Sequence, residues 1–405
     1  MSVRRLLSGL ALCLGGALAP ALVPAAAVAQ PSTVPASLAQ LQAREAILVE
    51  TDTGATLFAR NAQTPVPIAS TTKLMTAYVT LEYEPLERKL IEQPYYAEAG
   101  ESLADLTPGR AYTVASLLRG LLIPSGNDAA HTLAIDVGGT DQHFLAMMNA
   151  AAAQLGLDDT HYTTPVGLDT PGNYSTATDL AKLAQVLMRN WFFAKVVREP
   201  QAVLPYGTVL VNSDDLIGTV PWLVGVKTGH TAGAGYCLVG AASAGGVHLV
   251  SVVLGDPSNA ARDADTLALL RYGLHLYRNV PIAVAGRTYV RATVNGSSTE
   301  HVALVAAHSE SLTVTRQTPL EASLVGVPST LQGPIAAGTP EGAIVARENG
   351  RVTLTIPLLT QTAVAGDPGS SLLVKLLIAL AVALAASLLL MRRRARRAVR
   401  RGAPR

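Results

Sequence analysis

Ala69-Ser70-Thr71-Thr72-Lys73-Leu74-Met75-Thr76-Ala77 sets a serine three residues before a lysine. In a helix that spacing stacks hydroxyl and amine on one face. Pro65 and Pro67 favour an extended approach, Ser70 is a good helix starter, and Leu74, Met75, Ala77 and Val79 supply an apolar side to bury. A serine at that position has free backbone N–H groups and the positive end of the helix dipole beside it. A lysine one turn on, stripped of water by burial, loses its proton more readily and becomes a base for the serine. Alone, the pattern equally describes a helix cap followed by a surface lysine. The chain, however, holds only six lysines, Lys73, Lys89, Lys182, Lys195, Lys227 and Lys375, and only Lys73 has a serine three residues before it.

Outward from this stretch, Ile47–Glu50 and Ala55–Phe58 flank Asp52-Thr53-Gly54 as a hairpin. Helical periodicity follows at Thr72–Glu82, Val114–Leu122, Asp128–Asp136, Asp141–Leu155 and Thr178–Arg189. Strand patterns return at Val224–Thr228, Tyr236–Ala242 and Val247–Leu254, and a helical one at Ala260–Tyr277. Strands at both ends with helices between them predict one sheet whose first and last strands meet, backed by a helical lobe. The expectation is thus an α/β (α+β) domain over residues 41–278. From 279 to 366, short alternating runs separated by Gly, Pro and Asn predict a small all-β, sandwich-like domain.

The two ends read as membrane signals. Arg4 and Arg5, an apolar run to about Leu22 and Ala27-Val28-Ala29 make residues 1–29 a removed signal peptide, followed by a Pro/Ser/Ala/Gln linker at 30–40. Leu372–Met391 is long enough to span a bilayer, with Lys375 near its outer end. Eight arginines follow in residues 392–405 and mark that side as cytoplasmic, so the chain between the two signals is expected outside the cytoplasmic membrane, held by a C-terminal transmembrane helix. The rival for the arginine run, a nucleic-acid-binding tail, fits poorly directly beside a span. The formal charge of +2 includes those eight arginines and two in the leader, leaving −8 outside the membrane, which argues against nucleic acid as a partner. Cys13 leaves with the leader, so Cys237 has no intrachain partner.

Two further motifs lie downstream. Ser125 and Asn127, in Pro124-Ser125-Gly126-Asn127-Asp128, form a turn able to present a hydroxyl and an amide to one cavity. Lys227, Thr228 and Gly229, in Val226-Lys227-Thr228-Gly229-His230-Thr231, place a cation and a hydroxyl on a strand suited to a carboxylate, with Gly229 leaving room for a substrate backbone. His230 is read as lining the site. Each alone matches an ordinary cap or turn. The eight histidines show no metal-ligand spacing, and nothing in the motifs calls for a metal or another cofactor.

Ser-x-x-Lys, Ser-x-Asn and Lys-Thr-Gly in this order resemble the set found in penicillin-binding proteins and class A β-lactamases. Ile68–Thr76, Met148-Asn149, Leu155–Tyr162, Gly167-Leu168-Asp169 and Lys227–Thr231 with Ala234-Gly235-Tyr236 resemble the low-molecular-mass serine D-alanyl-D-alanine carboxypeptidases over roughly residues 40–275. The β domain after Val280 is similar to the one that follows in that family. The resemblance implies the penicillin-binding, β-lactamase-like transpeptidase fold. It implies Ser70 as acyl-forming nucleophile, Lys73 as its base, and Ser125 with Asn127 as the second wall. Lys227, Thr228 and Gly229 would hold the terminal carboxylate, with the N–H groups of Ser70 and His230 as oxyanion hole and Arg262 near the substrate carboxylate. The implied partners are peptidoglycan stem peptides ending in D-Ala-D-Ala and β-lactam antibiotics. Family members often end in an amphipathic helix lying on the membrane; here the end reads as a true span.

A class A β-lactamase needs a deacylating glutamate between the second and third motifs. The only glutamate between Asp128 and Val226 is Glu199, in an Arg-Glu-Pro context unlike theirs. A non-catalytic peptidoglycan-binding protein would have no use for Ser70 together with Lys73.

Overall fold

A computed structural model describes residues 35–297, 299–366 and 372–401; the signal peptide at 1–29 lies outside them. The chain opens with a single turn, α1 (Ala36–Ala39), then β1 (Glu45–Glu50) and β2 (Thr56–Arg60). The Glu50 carboxylate accepts the N–H groups of Asp52 and Thr53 at 2.9 Å each, and Gly54 turns the chain at a φ of 73°. The helical lobe comprises α2 (Lys73–Tyr83), the hairpin β3 (Lys89–Ile91) with β4 (Ala111–Thr113), α3 (Val114–Leu122), α4 (Asn127–Gly138), α5 (Asp141–Gln154), α6 (Ala177–Met188) and α7 (Trp191–Val196). A second small hairpin, β5 (Gln201–Val203) and β6 (Val209–Val211), leads to β7 (Leu223–Thr231), β8 (Gly235–Ala244), β9 (Val247–Asp256) and the long α8 (Asn259–Leu276).

The five-stranded sheet has the order β2-β1-β9-β8-β7, so the first hairpin closes against the last strand. The predicted meeting of chain ends is β1 against β9, antiparallel, with Ile47 opposite Val252 and Val49 opposite Val250. All six residues of β1 are buried because the sheet is covered on both faces. Alternation divides them: Ala46 and Leu48 join Leu249, Leu269 and Leu270, whereas Ile47 and Val49 face the helical lobe with Val250 and Val252. Gly273 lets α8 lie flat on the sheet, since a β-carbon there would meet Leu249 at 2.6 Å. On the other face α2 is the axis of the lobe, with Leu74, Met75, Ala77 and Val79 fully buried. Thr113, Thr140, Thr176 and Ser258 each accept an N–H from the first turn of α3, α5, α6 and α8.

The linker at 30–40 is corrected in its described part. Leu38, on α1, is fully buried among Leu48, Leu57 and Leu270, and its carbonyl accepts from the Arg60 guanidinium at 3.0 Å. One leucine among small residues gives no period to read, yet it completes the core beneath α8. After α8, eight strands β10–β17 between Tyr277 and Thr360 form a six-stranded sheet and the β10-β13 pair around their own core, including Ala292, Leu304 and Ile356. A last helix, α9 (Leu372–Arg401), contains Val374–Met391, eighteen residues of mean hydropathy 2.5 with none buried against the rest of the chain. That is enough length and apolarity to cross a membrane.

Candidate active site

The Ser70 segment differs from the expected helix start. Ser70 lies within a 3-10 turn, Ala69–Thr72, and α2 begins at Lys73. The turn is closed by the Thr71 N–H and hydroxyl, which bond the Ile68 carbonyl at 3.2 and 2.6 Å. Ala69 sits at a φ of 48°, a region a β-carbon resists. The Ser70 side chain therefore caps nothing and stays free for chemistry.

Lys73 is fully buried. Its Nζ lies 2.9 Å from Ser70 Oγ and donates to the Val166 carbonyl at 2.8 Å. Burial, reinforced by the charge of Lys227, pushes its pKa well below the usual lysine value, against the opposing pull of Glu101 and Asp128. A neutral amine at hydrogen-bond distance from a serine hydroxyl is what removal of the serine proton requires. The segment supplying Val166 is clamped to α2 by Thr76 Oγ1 on the Pro165 carbonyl at 2.6 Å. Gly167 follows at a φ of 89°, where a β-carbon would fall 2.1 Å from the Ala69 carbonyl oxygen. Gly167→Ala is expected to slow penicillin acylation at least tenfold and cost roughly 2 kcal/mol, read by stopped-flow labelling and thermal unfolding.

The second wall is the loop between α3 and α4. Ser125 has a φ of 69°, and its buried hydroxyl makes no hydrogen bond to the described chain, so donor and acceptor capacity are both free. Asn127 is buried, its N–H donating to the Ser102 carbonyl at 2.8 Å and its Nδ2 to Glu101 Oε2 at 2.7 Å.

The third wall is β7, an edge strand that runs through to Thr231 rather than stopping at the motif. Lys227 is 1% exposed, and burial, with Arg262 nearby, lowers its pKa to about 7 despite the countercharge of Asp214. Thr228 Oγ1 is held 2.7 Å from Ser213 Oγ. A β-carbon at Gly229 would meet the Ser70 nitrogen at 3.0 Å and Ala69 Cβ at 3.1 Å. The missing side chain lets the strand lie against the turn that carries Ser70. His230 is exposed and stacks on Tyr236 with ring centroids 4.0 Å apart. Arg262, at the start of α8, is 3% exposed, paired with Asp263 at 2.7 Å, and adds positive field at Lys227.

Of the sequence-predicted residues, Lys73 reaches Ser70, Gly229 lies against the turn that carries Ser70, Asn127 holds Glu101, whose charge reaches Lys73, and Arg262 adds its charge at Lys227. Sequence reasoning missed Glu101, Ser213, Asp214 and the Val166 carbonyl. A backbone carbonyl leaves no signature, and Glu101 lies in a loop without periodicity. Glu199 is held by Arg119 at 3.0 Å, and the acids whose charge reaches Lys73 are Glu101 and Asp128. Among the described residues no cluster of three His, Cys, Asp or Glu suited to a metal occurs.

Comparison with known proteins gives the family. The family described as D-alanyl-D-alanine carboxypeptidase matches residues 29–258. The D-alanyl-D-alanine carboxypeptidase DacB2 of Mycobacterium tuberculosis is 41% identical over 51% of this chain and 73% of its own. DacC of Escherichia coli is 32% identical over 80% of this chain and 84% of its own. Penicillin binding protein 5 of Haemophilus influenzae aligns in three dimensions with a TM-score of 0.58 at 28% identity, covering 83% of this chain and all of that one. With its serine, buried lysine and facing strand already in place, the chain belongs to the D-alanyl-D-alanine carboxypeptidase family of serine peptidases.

Proposed function

We propose that this serine D-alanyl-D-alanine carboxypeptidase removes the terminal D-alanine from peptidoglycan stem pentapeptides through an acyl-enzyme on Ser70. The observation that carries the residue assignment is Lys73 Nζ, buried and 2.9 Å from Ser70 Oγ. Ser70 Oγ attacks the carbonyl of the penultimate D-alanine while its proton passes to Lys73. The backbone N–H groups of Ser70 and His230 receive the developing oxyanion. Ser125, with its free hydroxyl, relays a proton to the leaving amine as the peptide bond breaks, and D-alanine departs. Water then adds to the ester carbonyl, and the Ser70–acyl bond breaks to give the tetrapeptide carboxylate. Lys227 and Thr228 hold the terminal carboxylate of the substrate, with Arg262 supporting the positive field behind them. Penicillins acylate the same serine. The catalytic domain lies on the outer face of the cytoplasmic membrane, tethered by α9 with the arginine tail inside.

The test incubates the detergent-solubilised chain with a muropeptide pentapeptide and follows D-alanine by mass spectrometry, with and without prior penicillin. Tetrapeptide and free D-alanine, both suppressed by penicillin, are expected. Stable penicillin labelling without D-alanine release would instead make the chain a receptor-like binder.

A further inference from the structure

The loop between β3 and β4 carries a polar cluster that the reaction above does not use. The Glu101 carboxylate accepts the Tyr95 hydroxyl and Asn127 Nδ2 on Oε2, and the Glu98 N–H on Oε1 at 3.1 Å. The same loop holds the Asn127 backbone through the Ser102 carbonyl at 2.8 Å. It is locked to α4 by Asp128, whose carboxylate accepts the N–H groups of Ala104 at 2.8 Å and Leu106 at 3.0 Å. Gly126 seals the joint, since a β-carbon there would lie 2.7 Å from the Ala104 nitrogen.

We infer that Glu101 is a positioning residue for acylation: its carboxylate fixes the Asn127 amide and places a negative charge beside the second motif. An ionised carboxylate only accepts hydrogen bonds, so the group it faces must be the NH2 of Asn127, which leaves the amide oxygen turned the other way. Burial opposes ionisation of Glu101, but the bonds from Tyr95, Asn127 and the Glu98 N–H and the field of Lys73 outweigh it and hold its pKa below the usual value. The charged groups whose field reaches Lys73 are Lys227 on β7, Asp128 on α4 and Glu101. Tyr95 also packs against His131 of α4, ring centroids 5.6 Å apart. Asp128 is spent on three backbone N–H groups, the third being its neighbour Ala129 at 2.9 Å. Glu101 is thus the carboxylate whose bonds lead from Lys73's field directly to a side chain of the second motif.

This inference rests on Lys73 as base, and its test separates the two. The rate constant of penicillin acylation is measured against pH for the full-length enzyme and for Glu101→Gln and Glu101→Ala. Neutralising Glu101 removes a group that raises the Lys73 pKa, so the acidic limb of the profile moves to lower pH in both variants. The plateau falls as well, about tenfold in Glu101→Gln and more in Glu101→Ala, because Asn127 loses its fixed partner. Tyr95→Phe keeps the charge and is expected to lower the plateau with the limb almost unmoved. A lowered plateau with unmoved limbs in both Glu101 variants would reduce Glu101 to a structural role and overturn the inference. An unchanged rate overturns it too. Loss of all pH dependence below neutrality in the wild type would instead remove Lys73 as base.

Discussion

Lys73→Met should lower the acylation rate about 10^3- to 10^4-fold while making the protein more stable. The loss of rate is the value of a positioned general base, since Ser70 then has no group to take its proton. Ser70→Ala should go further and abolish labelling by a fluorescent penicillin. The gain in stability follows from what lysine costs at that position. Lys73 is fully buried, with Ser70 Oγ and the Val166 carbonyl as its hydrogen-bonding partners and the like charge of Lys227 near it. Its pKa is lowered in the folded state, so the unfolded chain binds the proton more tightly than the native one. Wild-type stability therefore rises with pH through the window from the lowered native pKa up to the ordinary lysine value of about 10.5. The methionine variant has no such proton to lose. Its advantage, about 1 kcal/mol or more, should be greatest at acidic and neutral pH and vanish near pH 10. Thermal unfolding across pH 6–10 reads it; a variant less stable at pH 7 would mean that the two hydrogen bonds outweigh desolvation.

That opposition between function and stability also explains what could be read from the chain and what could not. The paired strands and the lobe were legible because Ile47, Val49, Val250 and Val252 repeat the two-residue period, and because stretches such as Val114–Leu122 and Asp141–Leu155 carry the helical one. Ser70 and Lys73 were legible because the chemistry demands their spacing. The 3-10 turn was not: residues 69–72 read as a good α start, and in the fold Ala69 sits at positive φ, packed closely against Gly167 and Gly229. Those glycines look like turn formers in sequence, whereas in space they are clearances that let two segments approach the nucleophile. Leu38 was missed for the converse reason, a single buried contact in a stretch of small residues. Glu101 and Asp214 act through burial and field, and neither property has a local pattern.

The sheet hides a second buried cost. Asp256, at the end of β9, is 1% exposed, and among the described residues neither of its carboxyl oxygens has a donor. Burial raises its pKa to about 8, aided by Asp265 and Asp263 and opposed by Arg262. Asp265, by contrast, accepts the N–H groups of Gln42 at 2.5 Å and Ala43 at 2.8 Å. The proton thus sits on Asp256. A carboxyl whose native pKa is raised holds a proton that the unfolded chain releases above about pH 4. The cost of keeping it grows as pH rises from there to about 8 and is constant beyond. Asp256→Asn has nearly the same shape, can donate to Asp265, and carries no proton to lose. It is expected to match the wild type near pH 4 and to exceed it by about 3 kcal/mol at pH 7 to 8, measured by chemical denaturation at each pH. Asp265→Asn should destabilise instead, because it disturbs the oxygen that accepts from Gln42 and Ala43 and frees the chain that carries Leu38 into the core. Equal behaviour of the two variants would mean that the proton is not held on Asp256, and a stability gain independent of pH would mean that packing rather than ionisation sets the cost.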